Sequence, residues 1–387
     1  MVNLSRISLL AAVVLLGCAE DPEDWGGRVV EVEGVLRVEN PSNPLANPET
    51  ISAEMLWSST GPTEGDIWEA PNWVHADDSF VYVVDRLASK IHRFSPDGEP
   101  SAALGEPGEG PGQYLRIIDA IPTGTGLFVV DGGNGRVEVL DSTGEILASS
   151  LLGQIVFSVV PLGEASIAVS GMLGRERHWQ RIDAAGNREP QDFPEFLDPN
   201  ASEETPSRAA TWRGHPVRLR FTSPQVQYFS AAGELEKVID VPLSPEEATD
   251  EEVEALVSEM ASVLSNDGLP SGVIQQQAEQ MRARPRAKYR FRDIRFDASS
   301  GLMAIWEQNP EDFGSGSASL HLLSIDGIYL AVLDFGRAWS AFDLKNGVVY
   351  ALSRDPDTDL VTLEAFSISV PEDLLDKAGE LVSRSVQ

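Results

Sequence analysis

The chain has 387 residues, 42% of them hydrophobic, which suffices for one large β-rich domain or two average ones. Its 61 acidic residues against 29 basic ones leave a formal charge of −32. That balance argues against general nucleic-acid binding, because phosphates must be met by Lys and Arg.

Residues 1–17 combine Arg6 with an apolar run from Ile7 to Leu16, too short to span a bilayer but suited to a secretory signal. The run ends in Leu15-Leu16-Gly17-Cys18, which resembles the bacterial lipobox. The resemblance implies cleavage before Cys18 and a diacylglycerol on its thiol, making the lipid bilayer a partner. Cys18 is the only cysteine of the chain, as suits an exported protein that would otherwise risk unwanted disulfides. Ala19 stands where an inner-membrane retention Asp would sit, which favours the outer over the inner membrane of a bacterial envelope. Residues 18–28 read as a polar tether.

The stretch RVVEVEGVLRVEN (28–40) is strand-like. Trp57, Trp68 and Trp73 follow in WSSTGPTEGDIWEAPNW, where packing inside a sheet is the expected role; exposed, such rings could stack on sugars or anchor a partner. Next comes an internal repeat. VYVVDRLASKIHRFSPDGE (81–99) aligns without a gap on LFVVDGGNGRVEVLDSTGE (127–145) at an offset of 46. Asp85 meets Asp131, Lys90 meets Arg136, and Gly98 meets Gly144. A period of that length points to propellers or solenoids.

The glycines of the second copy do not form a dinucleotide loop. Glu138 stands where the third glycine belongs, and the alternating RVEVL that follows reads as a strand rather than a helix. Gly132, Gly133 and Gly135 are therefore expected in a hairpin loop needing positive φ. Weaker copies place Gly186, Gly233 and Gly327 opposite Gly144, each in a turn before the last strand of its unit. VVYALSRDPDTDLVTLEAFSI gives one more hairpin without the glycine.

Between 244 and 288 the repeat breaks. Ser244, Pro245 and Glu247 make a capping box, and Val253, Leu256, Val257, Met260, Val263 and Leu264 recur at helical spacing. GVIQQQAEQMRARPRAK predicts a second helix, so this segment is a helical hairpin inserted between two blades, its apolar stripe expected to pack on them. Excluding it, residues 29–370 hold about six units of four strands, stacked because one sheet cannot bury both faces alone. The expected fold is all-β: a six-bladed β-propeller of four-stranded antiparallel blades with a helical hairpin insertion. Residues 28–40 would complete the last blade and close the ring, and 371–387 would form a C-terminal tail.

VYVVDRLASKIHRFSPDGE, LFVVDGGNGRVEVLDSTGE and the linker GEPGEGPGQY resemble the six-bladed propellers related to NHL repeats, and the exported bacterial proteins named for that architecture. The resemblance covers 81–147 well and the rest loosely. It implies the fold and is nearly silent on activity, since such propellers include binding modules, lyases and lactonases.

Chemistry is hard to find in the sequence. His75, His92, His178, His215 and His321 show no ligand spacing, so no metal residue is assigned; His92 reads as a surface or cross-strand residue. No cofactor is predicted, although blades can pool ligands and a central-channel metal such as calcium is left open. Asp355, Asp357 and Asp359 start like an EF-hand loop, but Leu360 and Phe366 replace its glycine and glutamate, leaving an acidic hairpin turn. There is no G-x-S-x-G elbow and, with Cys18 committed to lipid, no free thiol, so no catalytic residue is assigned. Asp85 and Asp131 recur, which suits a turn acceptor serving the blade better than a site residue. Two functions are expected: an anchored binding or scaffold module engaging an envelope protein, peptide or glycan, or a metal-dependent lactonase-like hydrolase or lyase with its site in the channel.

Overall fold

The computed structural model describes residues 25–385 apart from 48, 64–67, 174–175, 191–206, 214, 221–223, 231, 244–248, 267–270, 284–290, 309–316 and 356. The signal segment, Cys18, and the Ser244, Pro245 and Glu247 capping box lie outside the described residues.

Six small antiparallel sheets form a ring, the six-bladed propeller expected from the repeat. Blade 1 runs through Pro71–Ala76, Val81–Asp85, Lys90–Phe94 and Pro100–Leu104; blade 2 through Ile117–Thr123, Gly126–Asp131, Arg136–Leu140 and Ile146–Leu151. Blade 3 comprises Ile155–Pro161, Ser166–Leu173, Glu176–Asp183 and Arg188–Pro190, and blade 4 comprises Ser207–Trp212, His215–Arg220, Gln225–Phe229 and Leu235–Asp240. Blade 5 contains Phe291–Asp297, Leu302–Gln308, Ala318–Ser324 and Tyr329–Asp334. Blade 6 contains Ala338–Lys345, Val348–Arg354 and Val361–Ser369. The first strand of each blade touches the first strands of its neighbours, so these six strands line the central channel.

Ring closure differs from expectation. Ser52–Ser59 supplies the fourth strand of blade 6, antiparallel to Val361–Ser369. The hairpin of Arg28–Val32 and Val35–Glu39 instead lies parallel to Leu235–Asp240 at the rim of blade 4. The chain then crosses blade 5, where the Asn40 side-chain amide donates to the Asp240 and Gly327 carbonyls and its oxygen accepts the Tyr329 N–H. Alternation in 28–40 shows a strand pair, but only the location of an open sheet edge decides which blade it extends.

The repeat alternates less in burial than in residue type. Val81–Asp85, Gly126–Asp131 and Arg136–Leu140 are buried almost throughout, because each blade is covered on both faces by its neighbours. Even Glu138 is 1% exposed; it is paired with Arg136 at 3.2 Å and accepts the Gly112 N–H. Phe94 and Val83 of blade 1, with Trp68 just before its first strand, pack with Tyr350, Leu352 and Leu363 of blade 6, and equivalent clusters fill other seams.

The outer turns share one geometry. Gly98, Gly144, Gly186, Gly233 and Gly327 have φ of 90°, 92°, 77°, 83° and 100°, the left-handed conformation that closes a three-residue hairpin with a bulge. The blade-2 hairpin needs its glycines for two reasons, not one. Gly135 has φ 63°, whereas at Gly133 the obstacle is space: a Cβ would sit 2.5 Å from that of Leu115 and 2.9 Å from the Arg116 nitrogen. Gly132 is crowded likewise by Ile118.

The insertion holds helices α1 (Asp250–Asn266) and α2 (Ser271–Ala283). They pack on each other, with Arg282 Nε 2.6 Å from Glu254 Oε1. α1 begins five residues later than expected, behind a different capping box: Thr249 Oγ1 accepts the Glu252 N–H at 3.3 Å and Glu252 Oε2 accepts that of Thr249 at 2.7 Å. The C-terminal tail also gains structure. Glu372–Ser385 is helix α3, which buries Ala378 and Leu381 and rests on Arg28–Val32 and Ala318–Ser324.

Candidate functional site in the central channel

The inner strands repeat a bulge that skips one residue in the pairing with the second strand, at Pro71/Trp73, Ile117/Asp119, Val156/Ser158 and Phe291/Asp293. A bulge re-aims the side chain that follows it. Trp73, Asp119, Ser158 and Asp293 thereby occupy one tier of the channel, and His75, Ile121, Val160 and Arg295 follow two residues later on the same strand face. With Asp343 of blade 6, they line a cavity of about 270 Å³. Trp212 of blade 4 and Phe296 of blade 5 add aromatic walls, their rings 5.3 Å apart.

The charged groups form two linked sets. His75 Nε2 lies 2.8 Å from Asp119 Oδ1, which also accepts the Ala120 N–H. Arg295 bridges two other carboxylates, 2.8 Å from Asp293 and 3.2 Å from Asp343. Asp343 also accepts backbone N–H groups from Ala76 of blade 1 and from Leu344. The side chains of His75, Asp119, Arg295 and Asp343 retain 12%, 10%, 19% and 13% exposure, so solvent reaches all four.

Burial works against a charged His75, yet the adjacent Asp119 carboxylate and its hydrogen bond prevail and hold the imidazole pKa above its ordinary value. Burial raises the Asp343 carboxyl pKa, against the opposing pull of Arg295 and His75. Arg295 is pushed down by burial but held above the ordinary guanidinium value by Asp293 and Asp343. Among the described residues, none hydrogen-bonds Asp119 Oδ2 or His75 Nδ1, and both side chains line the cavity. A carboxylate-oriented imidazole with its second nitrogen free can exchange a proton there. Ser158 also lines the cavity but makes no hydrogen bond to His75, so no nucleophile–base pair is assembled there among the described residues. Among the described residues, no group of three or more His, Cys, Asp or Glu side chains is arranged to hold a metal ion.

The cavity has a definite position along the channel. It is lined mainly by the later residues of the inner strands, 73–76 in blade 1, 158–161 in blade 3 and 210–212 in blade 4. It therefore sits toward the face where first strands turn into second strands. The helical insertion joins the end of blade 4 to the start of blade 5, a connection made on the opposite face.

The residues singled out by sequence fall elsewhere. Asp85 accepts the Glu69, Ala70 and Ala88 N–H groups, and Asp131 those of Arg116, Gly133 and Asn134. Each thus fastens the second strand to its own hairpin and to the entry of the inner strand. Of the two expectations for His92 the cross-strand one holds: it pairs with Val83, is 8% exposed rather than on the surface, and stands edge-on to Trp68 with centroids 5.4 Å apart. His321 is buried between Glu307 and Tyr329 inside blade 5, and His215 is half exposed near Glu236. Asp355 holds a hairpin turn by accepting the Asp357 and Thr358 N–H groups. Of the five histidines, His75 alone lines the channel cavity. The sequence signal that could have found the site is a charged residue inside an otherwise apolar leading strand, as in RIIDAIP around Asp119.

Fold and site together define a six-bladed propeller with a polar channel pocket. No family model matches the chain, and no curated protein does. Among solved structures it is similar to a member of the DUF4221 family from Bacteroides vulgatus, with a TM-score of 0.53 and 9% identity over 84% of this chain and 100% of that one. A Bacteroides fragilis protein described as exported is equally similar, with a TM-score of 0.53 and 8% identity over 84% of this chain and 96% of that one. At these identities the likeness concerns the fold alone.

Proposed function

We propose that this propeller is a binding module of the bacterial envelope, anchored through a lipid on Cys18 and related to the NHL-type propellers. The observation that carries the binding reading is the channel cavity, where charged groups are fixed by one another and by backbone N–H groups. Such a site is preorganised for recognition, with aromatic walls and polar atoms, Asp119 Oδ2 among them, that none of the described residues hydrogen-bonds and that can orient a ligand. A metal-dependent lactonase or lyase chemistry has less support, because no ligand cluster or paired nucleophile stands in the described channel.

The anchoring part rests on the lipobox-like LLGC and the single cysteine. Its test is metabolic labelling with a fatty acid in a bacterial host expressing the full chain. The expected outcome is label and membrane fractionation for the wild type, and loss of both in Cys18→Ser. Equal membrane retention of unlabelled Cys18→Ser would overturn the anchor.

A further inference from the structure

We propose that the channel cavity takes a small organic cation: a primary amine carried on a flat apolar body. The inference rests on the binding reading above and specifies its ligand chemistry.

Charge is the first ground. Three carboxylates line the cavity, from Asp119, Asp293 and Asp343, against one guanidinium and one imidazole. Arg295 is shared between Asp293 and Asp343 and His75 faces Asp119, so carboxylates outnumber cationic groups three to two among the described residues of the cavity wall. Arg213 stacks on Trp212, but it is exposed and outside the cavity wall. An excess of carboxylates in a partly desolvated cavity favours a bound cation over a neutral ligand.

Geometry is the second ground. Asp119 lines the cavity and is 7% exposed; its Oδ1 is committed to His75 and the Ala120 N–H, and none of the described residues hydrogen-bonds its Oδ2. An ammonium supplies the donor that this oxygen lacks. Trp73, Trp212 and Phe296 give the aromatic surface that favours both a cation and a flat apolar group. A volume of about 270 Å³ limits the ligand to a small molecule. The formal charge of −32 would raise the local concentration of cations around the whole molecule.

The test is calorimetric titration of the full chain with phenethylamine, neutral 2-phenylethanol and methyl glucoside, in the wild type and in Asp119→Asn. Asparagine keeps an acceptor for His75 and Ala120 while removing the charge. The amine is expected to bind at least about tenfold tighter than the alcohol, and to lose about tenfold in Asp119→Asn. Equal affinity for amine and alcohol, no loss in the variant, or no heat with any probe overturns the proposal. Preference for methyl glucoside also overturns it while leaving a binding module in place. Turnover of a lactone by the wild type, lost in Asp119→Asn, would instead overturn the binding reading itself. If the variant melts early, the wild type still decides: amine affinity must fall steeply as NaCl rises from about 0.02 to 0.5 M, and that of the alcohol must not.

Discussion

His75 shows how one side chain can serve both fold and site. It bridges the seam from blade 1 to Asp119 of the adjacent blade 2, so its charge state contributes to holding two inner strands together. Its folded pKa lies above the ordinary value. The stabilisation is therefore complete below the unfolded-state pKa of about 6.5 and lost as pH rises through the folded value. Asp343 has the same sign: its raised carboxyl pKa favours the folded state fully below the unfolded value of about 3.9, a contribution lost as pH rises through the folded value. Asp293 and Arg295 are the other charged groups facing this set. Urea unfolding should show stability falling as pH rises above about 6.5 in the wild type, with a flatter profile in His75→Gln. At pH 6 the variant should be weaker by about 1 kcal/mol, the difference between a charge-assisted and a neutral hydrogen bond. Parallel pH profiles for the two proteins would show that His75 does not titrate in this range.

Among elements, the N-terminal segment does two separable jobs. Ser52–Ser59 closes blade 6, and Trp57 within it packs 6.2 Å from the Phe94 ring and 6.1 Å from that of Tyr350 while donating to the Pro96 carbonyl of blade 1. Losing a tryptophan from such a seam costs about 3–5 kcal/mol before the lost strand pairing is counted. The hairpin of Arg28–Val32 and Val35–Glu39 extends an already complete blade 4 and shelters α3. A chain beginning at Asn47 should therefore fold with reduced stability and a single thermal transition. One beginning at Gly61, with blade 6 left three-stranded, should melt broadly or aggregate through its open edge. Circular dichroism melting of the two chains separates these outcomes, and the same melting behaviour in both would mean that Ser52–Ser59 is not the closing strand.

On the scale of the whole molecule, the ring explains how many weak repeats become one structure. Hydrophobic clusters lie in the seams between blades, so each blade depends on its neighbours for burial. The charge of −32 opposes this compaction by self-repulsion. Raising NaCl from about 0.02 to 0.3 M, which shortens the screening length to well under 10 Å, should raise the melting temperature. A fall over that range would show that specific ion pairs outweigh the repulsion.

Strand, hairpin and turn were legible because they are local: Asp85 and Asp131 at equivalent positions, the glycine ending each outer turn, and the 46-residue offset all act within one blade. The helical insertion was legible for the same reason, through the 3.6-residue spacing of its apolar stripe. What joins residues distant along the chain was not. Nothing in VEVEGVL states that it will lie against Leu235–Asp240 rather than close the ring, and the tail after Val370 gave no sign that α3 would pack on that hairpin. The channel site is the clearest case. Its charged residues run from His75 to Asp343, one or two to a strand, with no spacing that marks them as a set. Sequence by itself determined the repeating unit and its number, since local hydrogen bonding and side-chain alternation set both. Only the closed ring decided the site, because its inner strands bring their bulged positions to one axis, where buried charges must find partners across blades.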